Sequence, residues 1–144
     1  MNAYVLDASV AAKWVLPARD ENLIEESRTV LESYMAGRLN LSVPDLFWTE
    51  MGTILWKAHR LKRMTAESVE DGLARLMDLN IRMLPSRSLL AGALAIGISF
   101  DRTVCDSVYI AMAVTTGRPL LTADERLANA LAAYFPVRWL GAFC

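Results

Sequence analysis

The chain reads as an α/β protein: a three-layer α/β/α sandwich built on a mostly parallel, about five-stranded sheet. Three observations predict it. Short apolar runs such as Ala3-Tyr4-Val5-Leu6 and Leu41-Ser42-Val43 recur between longer segments with helical spacing, the pattern of buried parallel strands. Strands and helices alternate, with no cluster of consecutive strands. Acidic residues stand directly after two of the apolar runs, at the carboxyl ends where parallel sheets bind ligands.

In order, residues 3–6 form the first strand, and Ser9 to Leu16 a helix stopped by Pro17. Asp20 caps a second helix whose apolar residues Leu23, Ile24, Val30, Leu31, Tyr34 and Met35 recur at helical spacing, with Gly37 as terminator. Leu41 to Val43 is the next strand. Pro44 opens a helix to about His59, and Thr65 caps another to about Leu79. Ile81 to Leu84 is a strand closed by Pro85. Helices from about Ser88 to Ile98 and from about Thr103 to Thr116 follow, the second ended by Gly117. Pro119 to Leu121 is the fourth strand. Thr122 and Glu125 form a capping box for a helix to about Tyr134, and Val137 to Leu140 is the last strand. No repeat, linker or boundary interrupts this order, so residues 1–144 are expected to form a single domain.

With 54% apolar residues, the chain has the material for a substantial core. The longest near-apolar stretch, Leu89 to Phe100, is shorter than the roughly 20 residues a membrane-crossing helix needs. No basic region precedes an N-terminal apolar segment, so no signal peptide is expected. Two cysteines, Cys105 and Cys144, make neither a disulfide framework nor a zinc pattern, and a reducing, cytoplasmic setting is expected. A net charge of −1 excludes a protein that coats nucleic acid by charge alone, but not a nuclease whose acidic cluster is offset by cations.

Four acids stand out. Asp7 ends the first apolar run, and Asp124 follows the fourth. Glu50 and Asp106 lie on the apolar faces of predicted helices, where a bare charge costs several kcal/mol by order of magnitude unless compensated. Asp7 and Asp124 each admit a plainer reading as a helix cap or first-turn charge. Glu50 does not, because a mid-helix glutamate on an apolar stripe needs a partner. Together the four suggest oxygen ligands for a divalent cation. The only histidine, His59, belongs to the basic run Lys57-Ala58-His59-Arg60-Leu61-Lys62-Arg63, expected to be a solvated helix end. Trp14, Trp48 and Trp56 would pack helices or meet a protein partner in preference to stacking on bases.

These segments resemble the motifs of PIN-domain ribonucleases. Tyr4-Val5-Leu6-Asp7-Ala8-Ser9 is similar to the opening strand of that family, and Pro44-Asp45-Leu46-Phe47-Trp48-Thr49-Glu50 to its second acidic motif. Val104-Cys105-Asp106 through Ala113 resembles the third, and Leu120-Leu121-Thr122-Ala123-Asp124-Glu125-Arg126-Leu127 the fourth. Order, spacing and size match the VapC-type toxins of toxin–antitoxin pairs. Cys105 departs from the pattern, since many relatives carry an aromatic residue there, as does the mildly acidic overall charge. The resemblance implies a magnesium- or manganese-dependent endoribonuclease. It also implies an RNA substrate, a cognate antitoxin, a homodimer and no membrane. Under it, Asp7, Glu50 and Asp106 hold the main cation, Asp124 completes a second position or orients water, and the hydroxyls of Ser9 and Thr122 hydrogen-bond carboxylates or a bound water. The competing expectations are a non-catalytic PIN-like binding module and a housekeeping RNA-processing nuclease. A receiver-like phosphoacceptor domain is excluded by Leu84-Pro85-Ser86 after the third strand and the absence of lysine from Pro136 to Cys144.

Overall fold

A computed structural model describes residues 2–143. Five strands form one sheet in the order β3-β2-β1-β4-β5, namely β1 (Asn2–Leu6), β2 (Leu39–Pro44), β3 (Arg82–Leu84), β4 (Leu120–Thr122) and β5 (Val137–Trp139). Every pairing is parallel, with Val5 beside both Ser42 and Leu120. The seven helices are α1 (Ala8–Val15), α2 (Ile24–Met35), α3 (Leu46–Arg60), α4 (Ala66–Asp78), α5 (Leu90–Phe100), α6 (Val104–Thr116) and α7 (Glu125–Leu131). Helix α1 packs against α2, α3 and α4, while α5 and α6 pack on each other and α6 lies along β1, β2 and β4. The predicted three-layer α/β/α sandwich is what the chain forms.

The edge strands β3 and β5 expose Arg82, Met83 and Arg138, but the central strands are largely apolar because both faces are covered: Tyr4, Val5, Leu6, Leu41, Val43, Leu120 and Leu121 are all buried. They pack with Phe47 and Met51 of α3 and with Val108 to Ala113 of α6. Strand β1 lies centrally, with β2 on one side and β4 on the other. The chain therefore changes direction across the sheet at β1, and the crevice beyond the carboxyl ends of β1 and β4 is the switch point where such sheets bind ligands.

Several boundaries differ from the sequence reading. Asp20 does not cap α2; it closes a short 3-10 turn, and α2 begins after Leu23, a left-handed residue without side-chain capping. Pro44 ends β2 instead of opening a helix. The side chain of Asp45, which precedes α3, accepts hydrogen bonds from the Ser86 amide at 3.0 Å and the Ser86 hydroxyl, tying the exits of β2 and β3 together. Helix α5 starts at Leu90 because a 3-10 turn occupies Ser86–Leu89. Thr65 caps α4 as expected and Thr103 caps α6, accepting from the amides of Ser68 and Asp106 at 3.1 Å. At the α5–α6 corner, a Cβ on Gly97 would meet the Arg102 carbonyl at 2.9 Å, so only glycine lets the chain turn so tightly. Among the described residues no single helix is long and apolar enough to cross a membrane. Cys144 lies outside the described residues, and Cys105 is exposed and unbridged.

Candidate active site

Asp7 follows the last residue of β1 and occupies the N-cap position of α1, yet its side chain makes no capping bond. The turn is closed by the backbone instead, with the Val10 amide donating to the Asp7 carbonyl at 3.0 Å. The carboxylate is thus free of helix duty. Its Oδ2 accepts from Ser9 Oγ and from Thr122 Oγ1, each at 2.7 Å. Oδ1 has no protein donor among the described residues. Burial pushes the Asp7 pKa up from its ordinary value, the two hydroxyl donors pull it down, and the charges of Asp106 and Asp124 push it up again.

The capping box predicted from Thr122 and Glu125 is not formed. Thr122 Oγ1 donates to Asp7 and accepts from the Asp124 amide at 3.0 Å, and Asp124 itself is the cap, its Oδ1 accepting from the Leu127 amide at 3.1 Å. Ser9 Oγ also accepts from the Ala123 amide at 3.0 Å. The two hydroxyls therefore stitch the β1 and β4 exits together and set where Asp7 and Asp124 stand. Asp124 is thus the cap itself and not only the first-turn charge expected beside a Thr122 cap, and capping occupies only one of its oxygens.

Glu50 sits one turn into α3, partly buried. The partner its position demands is Tyr109, whose hydroxyl donates to Glu50 Oε1 at 2.6 Å. Burial raises the Glu50 pKa, the tyrosine bond lowers it, and the negative charges of Asp7 and Asp106 raise it further. Tyr109 is itself almost wholly buried, and burial together with Asp7 and Glu50 pushes its pKa far up, so it stays a neutral donor. Tyr109 is the residue that sequence reasoning missed. The available signal was its place three residues after Asp106, which puts both on one helix face. Asp106 lies partly buried in the first turn of α6, where the helix dipole favours a carboxylate.

Charge links the acids pairwise: Asp7 feels Asp106 and Asp124, and Glu50 feels Asp7 and Asp106. Among the described residues, no three acidic, histidine or cysteine side chains converge closely enough to form a finished cation cage. The donor set is oxygen only, which fits a hard cation such as magnesium or manganese and not zinc or copper. His59 is remote from the crevice, exposed near the far end of α3 with Nδ1 at 3.1 Å from the Met64 carbonyl.

The PIN-domain family model matches residues 4–131, a span that includes all four acids. The chain belongs to the PIN-domain family. Among curated relatives it is similar to Ribonuclease VapC3 of Pyrobaculum aerophilum, 28% identical over 127 residues that cover 87% of this chain and 92% of the relative. It is also similar to Ribonuclease VapC3 of Mycobacterium tuberculosis, 33% identical over 93 residues that cover 65% of this chain and 66% of that one. Of solved structures, PAE2754 from Pyrobaculum aerophilum superposes with a TM-score of 0.67 at 22% identity, covering 90% of this chain and 79% of the other. A toxin–antitoxin complex from Klebsiella pneumoniae gives 0.63 at 13% identity, covering 95% and 97%. These two likenesses are likenesses of fold.

Proposed function

We propose that this PIN domain is a divalent-cation-dependent endoribonuclease and the toxin of a toxin–antitoxin pair. The observation that carries the proposal is Asp7: a carboxylate with a raised pKa, anchored through one oxygen by two hydroxyls and open at the other, facing Asp106 and Asp124. Such an arrangement stabilises the fold poorly and suits a cation well. The two curated relatives named as ribonucleases support RNA as the substrate.

Asp7, Glu50 and Asp106 would hold magnesium or manganese, with Asp124 completing a second position or orienting water. When bound, the cation would lower the pKa of a water and offset charge on the phosphate and leaving oxygen. The protein's own contribution is order. Ser9 and Thr122 fix the Asp7 carboxylate, and neutral Tyr109 fixes Glu50 through Oε1, leaving Oε2 without a protein donor among the described residues. The first turn of α6 offers amides and a positive dipole end to a phosphate. The test is cleavage of total cellular RNA by purified protein with magnesium or manganese, with EDTA, and by Asp7→Asn. Discrete cation-dependent fragments absent from the variant are expected. Cleavage surviving both EDTA and the substitution would overturn the mechanism.

The cognate antitoxin is proposed as partner on the strength of the toxin–antitoxin neighbour. An apolar hollow of about 390 Å³ between α1, α2 and α4, bordered by Trp14, Leu31, Met35 and Leu76, supports a protein-binding role. A homodimer is proposed on α5. This helix carries no charge and buries only Ala93, leaving Leu90, Leu94 and Ile98 exposed on one stripe. Antiparallel packing on a second copy about Leu94 sets Leu90 against Ile98 and Arg87 against Asp101, a match of both apolarity and charge. Ile98→Asp should turn a dimer into a monomer by analytical ultracentrifugation. A cytoplasmic setting accords with the exposed, unbridged Cys105.

A further inference from the structure

We infer that the carboxyl half of α3 and the turn into α4 form a docking surface for single-stranded RNA, separate from the acidic crevice. The inference rests on the nuclease reading for its purpose but not for its test. Trp56 is 55% exposed on α3, a large apolar side chain left in water, unlike the partly buried Trp14 and Trp48. The Arg60 guanidinium lies over it, 5.3 Å from the ring centroid. Lys57, also exposed, is the next residue along the helix. Beyond them two adjoining hollows, of about 400 and 270 Å³, share the walls Arg63, Met64 and Thr65. The first is also bordered by Arg19 and Arg75, the second by Lys62.

Among the described residues none of these cations is in an ion pair, since the two salt bridges found use Lys13 and Arg28. The one acid bordering the hollows is Asp71. A cluster of unneutralised cations beside an exposed indole is the chemistry that binds a flexible polyanion, with bases stacking on the ring and phosphates meeting the cations. The placement answers a need of the site. Four carboxylates repel RNA, so attraction has to come from elsewhere on the surface. From Glu50 to Arg60 is ten residues of helix, about 15 Å, within reach of a short stretch of strand. A base stacked on the indole and phosphates on the cations would use the whole of this surface at once.

The experiment measures fluorescence anisotropy of a labelled 20-nucleotide mixed-sequence single-stranded RNA and its duplex form. It is done in EDTA over a range of salt, with RNA integrity checked on a gel. The wild type should bind the single strand more tightly than the duplex. Trp56→Ala should weaken single-strand binding on the order of tenfold with the salt slope unchanged. The combined Arg60→Gln, Lys62→Gln, Arg63→Gln variant should weaken it and flatten the slope by about 0.7 for each phosphate left without its cation. In cleavage assays these variants should raise KM for long RNA without changing kcat, and should cut a tetranucleotide as the wild type does. Unchanged affinity and slope in both variants would overturn the inference and leave the patch to a protein partner. Weakened binding in both variants, in a protein that cleaves nothing, would uphold the surface and defeat the nuclease instead.

Discussion

Helix α3 changes character halfway along. Its first half carries Glu50, partly buried, bonded to Tyr109 and shifted in pKa by its surroundings. Its second half carries Trp56, Lys57 and Arg60, all exposed and without a carboxylate partner among the described residues. One helix therefore serves two physical regimes. Near the crevice, burial magnifies each charge, and one hydroxyl for Glu50 and two for Asp7 fix its direction. At the far end, water screens each charge, and only several acting together hold a ligand. The crevice should fail when one atom is removed, and the surface only by degrees.

The sharpest break should come at the crevice. Glu50→Gln and Asp7→Asn keep shape but remove charge, and each should reduce RNA cleavage to background in gel assays with magnesium, whereas neutralising any one cation of the far end should leave kcat intact. Removing only the anchors should cost less. Tyr109→Phe and Thr122→Val should lower activity or cation affinity roughly 10–100-fold, the range for groups that orient metal ligands, measured by titrating manganese. Equal losses in the anchor and ligand variants would mean that the hydroxyls themselves touch the substrate.

Stability should move in the opposite direction. The folded protein holds the pKa values of Asp7 and Glu50 above their ordinary 3.8 and 4.5. Their contribution to cation-free stability is thus fully present below those values and is lost as pH rises through the raised ones. Near neutral pH in EDTA, Asp7→Asn should melt higher than wild type, and the gap should close as the pH falls into the carboxylate range. Saturating magnesium should reverse the order by stabilising wild type alone, by about 2.7 kcal/mol at a hundredfold excess over Kd. At the other end of α3, the expected effect is the smallest: Thr65→Ala, which uncaps α4, should cost about 1 kcal/mol by thermal melting and leave kcat unchanged.

How far these features were legible in the sequence follows from the same division. The alternation of apolar runs and helical stripes was enough for the parallel sheet, because burial on both faces leaves a pattern in composition. Glu50 was conspicuous because a charge on an apolar stripe violates that pattern. Its partner was not, since Tyr109 lies 59 residues away and meets it only across packed helices. Thr122 was misread as a cap because local spacing matched a capping box, while the bond that actually claims its hydroxyl spans 115 residues. Trp56 was expected to pack helices or to meet a protein partner, and exposure is not written in residue type. Boundaries moved where a tertiary bond replaced a local one, as with Asp45 and Ser86.

The bond from Thr122 to Asp7 joins residues 115 apart, and β4 is made long after β1. Strand β1 can pair with β2 early, yet it lies centrally in the sheet and its other edge must await β4. Asp7 consequently lacks half of its anchorage while the chain is growing, because the Thr122 hydroxyl arrives only when β4 has paired. Long-range closure of this kind is slow compared with the local folding of helices. A catalyst directed at RNA would then be made beside the messenger that encodes it in an unarmed form, and would mature only after the ribosome has passed the codons for β4.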